Sequence, residues 1–138
     1  MDNSSFKSDK QLWESYRKAI YRVYEPAFVF KIGCSSPMLV ALLAKFECDT
    51  FAYITAYNPN GIVASNRDNL KANISLKEKI EGEYKIFEGI GESEDGSWVG
   101  EHSYLILGIP LNEALALKAE FNQKAIVFGS ADGIGLLV

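Results

Sequence analysis

Glu101 opens the stretch "EHSYLILGI", a carboxylate at the head of an apolar run and three residues after Trp98. Enclosure by apolar groups raises a carboxyl pKa, so a glutamate so placed is a candidate general acid or base. Its other reading is structural: a hydrogen-bonded carboxylate that organises the glycine-containing loop "ESEDGSWVG" before it. Asn58, in "ITAYNPNG", and Asn69 add amides that both donate and accept, which suits reading a base, a carboxamide or a sugar hydroxyl. Asn58 also has a local reading, closing a turn in which Pro59 fixes φ and Gly61 supplies a positive φ. Gln123, ahead of "KAIVF", either caps the preceding helix or presents its amide to a ligand, and Trp98 can stack on one.

Other chemistries are excluded or weak. His102 is the single histidine, which rules out a multi-histidine metal centre. On a strand it faces away from Glu101, its chain neighbour. Cys34 and Cys48 fit neither a CxxC redox pair nor a zinc knuckle and read as reduced thiols. "GIGESEDG" lacks the spacing of a dinucleotide or phosphate loop and leads into a strand rather than a helix. Glu92, Glu94 and Asp95 lack calcium-loop spacing, so no metal site is expected, and no cofactor is named by any motif. A net charge of −4 opposes binding to a nucleic-acid polymer. Lys71, Lys77, Lys79 and Lys85 alternate with Glu78, Glu81 and Glu83 as on a solvated surface.

The elements that must position these residues follow from periodicity. Leu12, Trp13, Tyr16, Ile20 and Val23 recur at helical spacing up to Pro26, predicting a first helix after a flexible lead over 1–10. "AFVFKIG" reads as a strand, and "CSSPMLVALLAKF" as a helix capped by Ser36 with Pro37 at its first position. "TFAYITAY" is a strand rich in β-branched and aromatic residues. "SNRDNLKANISLKEKIEG" is a helix whose start, Ser65 with Asp68, resembles a capping box. "EYKIFEGIG" and "EHSYLILGI" form a long hairpin. The helix "PLNEALALKAEF", the strand "QKAIVFG" and a last short strand after the Asp132-Gly133 turn complete the pattern. With 138 residues, 48% of them hydrophobic, one globular domain over 11–138 is expected. The longest apolar run is too short to span a bilayer and the N-terminus is unlike a signal peptide, so the expected location is cytoplasmic, without membrane association.

Helical crossovers between the first three strands imply that those strands share a direction, with the two that follow running opposite. The predicted fold is α/β (α+β), a mixed sheet of about five or six strands with helices packed on it. One edge of that sheet then gathers the turn holding Asn58, the loop holding Trp98, and the strand starts at Glu101 and Gln123. Asn69, Asn73, Leu76 and Ile80 lie on one helical face, which turns the asparagines toward the same edge.

Four ordered segments, "W..Y..A.Y", "ITAYNP" with Ser65 and Asn69 downstream, "W..EHSYLILGI" and "EFNQKAIVF", resemble the bacterial domain of unknown function 3293 family from Trp13 to Phe128. The resemblance implies a small single-domain cytoplasmic protein in which Thr55, Asn58, Pro59, Ser65, Asn69, Trp98, Glu101 and Gln123 match the family's motif. It carries no assigned substrate, cofactor or catalytic residue. Two functions follow. One is a small polar ligand, nucleotide-like among the options, held at the sheet edge by Thr55, Asn58, Ser65, Asn69, Trp98 and Gln123, with Glu101 as the proton-transfer group. The alternative is a non-catalytic interaction or regulatory module, with the C-terminal "GIGLLV" as a homodimer edge.

Overall fold

The computed structural model describes residues 8–138. Helix α1 (Asp9–Lys18) starts with a full capping box between Ser8 and Gln11, so Ser8 to Lys10 belong to an ordered helix start. The rest of the expected flexible lead lies outside the described residues. The helix ends earlier than its apolar spacing predicts. Ala19 is extended, and Ile20–Val23 is strand β1, with Tyr21 and Val23 turned inward. Those four residues fit a period of two as well as a helical stripe, and sheet pairing decides between the two readings. Pro26 sits between β1 and strand β2 (Phe28–Phe30), after a cis peptide bond.

The remaining elements fall where the sequence places them, except that the strand expected from Gln123 begins only at Val127, because Gln123 is spent on the carbonyls of Tyr57 and Phe121 in the turn before it. They are helix α2 (Pro37–Lys45), strand β3 (Thr50–Ile54), helix α3 (Asn66–Ile80) and the hairpin of β4 (Lys85–Glu92) and β5 (Glu101–Leu107). Helix α4 (Leu111–Glu120), strand β6 (Val127–Ser130) and strand β7 (Gly135–Leu137) follow. Ser36 caps α2 through its hydroxyl, 3.2 Å from the Leu39 amide, and Ser65 caps α3 at 3.1 Å from that of Asp68.

The class is α/β, but the sheet has seven strands in the order β2-β1-β4-β5-β3-β6-β7, and every neighbouring pair is antiparallel. The sheet is therefore not the mixed one that the connections predict. β3 and β4 do share a direction, but β5 runs between them, so no two parallel strands touch. Strand ends therefore gather as anticipated, although the pairings differ. The sheet curls. Ser35, beyond β2, bridges Ile134 just before β7, and the Gly33 amide donates to the Gly135 carbonyl at 2.9 Å.

Alternation along the strands builds two cores. On one face Tyr21, Phe30, Phe51, Tyr53, Leu105 and Leu107 pack with Leu39, Leu42 and Leu43 of α2. On the other, Ala52, Ile54, Tyr104 and Ile106 pack with Leu76 and Ile80 of α3 and Ala114 of α4. The buried phenols keep their hydrogen bonds: Tyr21 donates to the Tyr16 carbonyl and Tyr53 to that of Arg22, each at 2.6 Å. Both tyrosines are thereby held in neutral form, because burial pushes their pKa values up.

Gly89 of β4 makes the second of these contacts feasible. A Cβ there would strike the Arg22 carbonyl oxygen and come 2.7 Å from the Tyr53 hydroxyl. Gly89→Ala should therefore destabilise the protein by about 2–3 kcal/mol, read as a lower urea midpoint, since overpacking on backbone cannot relax cheaply.

Candidate functional site

The site begins at the end of β3, where the chain leaves the sheet through Thr55–Tyr57 and turns over a 3₁₀ segment, Pro59–Gly61. Asn58 (φ 50°), Asn60 (φ 60°) and Gly61 (φ 72°) are all left-handed, a conformation that asparagine tolerates and glycine adopts freely. Gly61 has a second duty. A Cβ on it would sit 2.6 Å from Leu12 Cδ1, so its bare backbone lets α1 lie down on the turn.

Asn58 is locked from two sides. Its backbone amide donates to Asn69 Oδ1 at 2.8 Å, and its Oδ1 accepts from Asn69 Nδ2 at 2.9 Å and from the Ala64 amide at 3.0 Å. What is left, Nδ2, donates to Glu101 Oε2 at 2.7 Å. Both readings of Asn58 thus hold at once: it closes the turn and orients the carboxyl group. Asn69 is buried on α3, as is Asn73 one turn later. Asn73 accepts from the Ala56 amide at 3.0 Å and donates to the His102 carbonyl at 3.2 Å, fixing the strand end to both α3 and β5.

Glu101 lies across this network at the head of β5. Burial pushes its carboxyl pKa up to about 7, opposed in part by the hydrogen bond from Asn58, which favours the anion. Among the described residues, Oε2 is the oxygen engaged by a hydrogen bond; Glu101 itself lines a cleft of about 280 Å³. The walls of that cleft are Leu12, Ser15 and Tyr16 from α1, Asn58, Gly61 and Val63 from the turn, and Ser97, Trp98 and Val99 from the β4–β5 loop. A much smaller hollow, which shares Tyr16, Trp98 and Glu101 with the cleft, is also bordered by Tyr53, Thr55, Ser103 and Gln123. Burial first, then the Glu101 charge, raises the Tyr16 pKa and keeps that phenol protonated beside the carboxyl group.

The sequence-predicted residues therefore separate. Asn58, Asn69 and Glu101 form one connected network, and Trp98 walls the cleft above it. Thr55 is committed to the backbone, donating to the His102 carbonyl at 2.6 Å and accepting from the Tyr57 amide at 3.0 Å. Gln123 uses its amide donors on the carbonyls of Tyr57 (3.1 Å) and Phe121 (3.2 Å), and borders only the small hollow. Ser65 is an exposed helix cap away from both. Ser15 and Tyr16 are new. The helical spacing assigns Tyr16 to a packing stripe and leaves Ser15 unmarked, because nothing local signals a helix whose far face closes a cleft. Neither thiol is near this role: Cys34 is exposed and Cys48 donates to the Phe46 carbonyl. Among the described residues no cluster of three metal-ligating side chains occurs; Glu92 pairs with Arg22 and Glu94 with Lys31. No helix among them is long and apolar enough to cross a membrane.

A family model described as "Protein of unknown function (DUF3293)" matches residues 54–126, more than half of the chain. The chain belongs to that family. The matched segment of this DUF3293 protein carries Asn58, Asn69, Trp98 and Glu101, whereas α1, which supplies Leu12, Ser15 and Tyr16 to the cleft, precedes it. No curated protein and no solved structure gives a match.

Two measurements test this geometry. Asn58→Gly preserves the left-handed backbone and deletes only the side-chain bonds, so it should cost about 2–3 kcal/mol in chemical unfolding and raise the Glu101 pKa further. Because the Glu101 pKa is higher folded (about 7) than unfolded, the native state holds the extra proton, and this group's stabilising contribution is lost as pH rises toward 7. Glu101→Gln, which keeps an acceptor for Asn58, should remove that dependence. Between about pH 5 and about pH 8 the wild-type protein should lose on the order of 2 kcal/mol relative to the variant.

Proposed function

We propose that the cleft binds a small polar molecule with a flat apolar face, and that Glu101 exchanges a proton with it. The observation that carries this reading is a carboxyl group at the floor of a preformed cleft, tied through one oxygen to Asn58. Burial supports it too, since a pKa of about 7 leaves Glu101 able to donate or accept at neutral pH. Trp98 and Tyr16 supply aromatic surface, and Val63 and Val99, both exposed at the rim, would be covered by an occupant.

Size and charge narrow the class. About 280 Å³ is at the small end of ligand pockets, room for a nucleobase-sized group rather than a dinucleotide. Among the described residues, none that lines the cleft is lysine or arginine, and Glu101 is the sole carboxylate there. A phosphate would find no cationic partner among these residues, which favours a neutral or protonated nitrogen heterocycle over a nucleotide. Asn58, with its hydrogen bonds already committed, positions Glu101 rather than reading the ligand itself.

The C-terminal edge gains less support as a homodimer surface. Gly133 and Gly135 of that segment already accept from Ser36 and Gly33 of the same chain.

A thermal-shift screen with nucleobases, nucleosides, their mono- and triphosphates, amines and sugars tests the proposal. Uncharged or cationic heterocycles should raise Tm by several degrees at concentrations well above Kd, and phosphorylation should weaken the effect. Trp98→Ala should remove the shift while the protein stays folded. Stabilisation by a triphosphate but not by its parent nucleoside would overturn this reading of the cleft.

A further inference from the structure

The opposite face of β5 carries a second cavity, of about 210 Å³, that the acid–base reading does not use. His102, the residue after Glu101, points to this side, and two tyrosines converge on it. The Tyr57 ring meets the imidazole edge-to-face with centroids 5.8 Å apart, and the Tyr24 ring does so at 6.4 Å. The Tyr24 hydroxyl also lies 3.2 Å from His102 Nδ1. Leu70 and Ile74 of α3 line the cavity while remaining 57% and 49% exposed, so large apolar side chains face water there.

The charge at this place is negative. Glu88 of β4 lines the cavity, and among the described residues no lysine or arginine does. Burial is the main cause that raises the pKa values of Tyr24 and Tyr104, and the carboxylates add to it: Glu92 and Glu88 at Tyr24, and Glu88 at Tyr104 on the cavity floor. Arg22 opposes them at Tyr24, but its guanidinium is paired to Glu92 at 2.7 Å. The neighbouring groove, which shares Tyr24 and Glu88, sets Glu25 and Glu81 against Lys77 alone.

Aromatic walls, an aliphatic side and a carboxylate at the rim are the chemistry that recognises an organic cation. The ring faces attract positive charge, the apolar groups cover alkyl substituents, and the carboxylate supplies the counter-charge. We propose that the cavity formed by Tyr24, Tyr57, His102, Glu88, Leu70 and Ile74 is a second binding site, specific for small alkylammonium ligands. It is independent of the Glu101 cleft, because β5 separates the two and no lining side chain belongs to both.

The test compares choline with 3,3-dimethyl-1-butanol, its uncharged carbon isostere, at matched ionic strength, by NMR titration of the labelled full chain. Choline should shift the ring resonances of His102, Tyr24 and Tyr57 saturably, and the isostere should bind at least about fivefold more weakly, in line with the roughly 1 kcal/mol that such contacts contribute. Glu88→Gln and Tyr24→Leu, both at exposed positions, should each weaken choline binding severalfold and leave the Trp98 resonances unchanged. Equal binding of choline and isostere would overturn the proposal by showing an apolar groove without charge selectivity. So would the absence of a saturable shift, or choline shifts confined to Trp98 and Tyr16, which would assign the cation to the cleft instead.

Discussion

The hydrogen bond from Asn58 Nδ2 to Glu101 Oε2, 2.7 Å long, joins the two halves of the site, and much of the surrounding structure exists to make it. Asn58 can aim that donor only because Asn69 holds both its backbone amide and its side-chain oxygen. Asn69 in turn is fixed by α3, whose Leu76 and Ile80 are buried against the sheet. Glu101 is fixed by β5, the strand paired to both β3 and β4. A buried carboxyl group with an amide partner is stable only while each element stays in place, since an unpaired polar group left behind would cost about 1–3 kcal/mol.

The same strand divides the molecule's chemistry. Successive residues of β5 point to opposite faces, so Glu101 serves the cleft walled by α1, whereas His102 and Tyr104 serve the side covered by α3. The strand end at Thr55–Asn58 is shared between the two. Tyr57 lines the outer cavity and Asn58 the inner cleft, and Thr55, Asn73 and Gln123 spend their hydrogen bonds on holding that segment. Residues of a type suited to ligand binding thus become the scaffold that fixes ligand-facing neighbours.

Legibility from sequence varied with the range of the interaction. Helices with strong caps, α2 after Ser36-Pro37 and α3 after Ser65, could be placed from local chemistry, as could the β4–β5 hairpin and the Asp132-Gly133 turn. The Ile20–Val23 segment could not, because the spacing of its apolar residues over only four positions satisfies two periodicities and only pairing with β2 and β4 selects the strand. Strand directions followed from the connections, but adjacency did not. A helical crossover fixes which way a strand runs without saying that another strand will be laid between it and its predecessor.

By itself the sequence determined the alternation that turns Glu101 and His102 to opposite faces, the turn chemistry of Asn58, Pro59 and Gly61, and the helical spacing that puts Asn69 and Asn73 on one side of α3. These are properties of covalent geometry and of two regular periods, so residue types suffice to read them. Only the tertiary structure decided that Asn58 and Glu101 touch, that Gln123 and Thr55 are consumed by backbone, and that α1 closes the cleft with Ser15 and Tyr16. Contacts between residues far apart in the chain depend on how layers pack and on which donors are already satisfied, and neither is written in any local stretch.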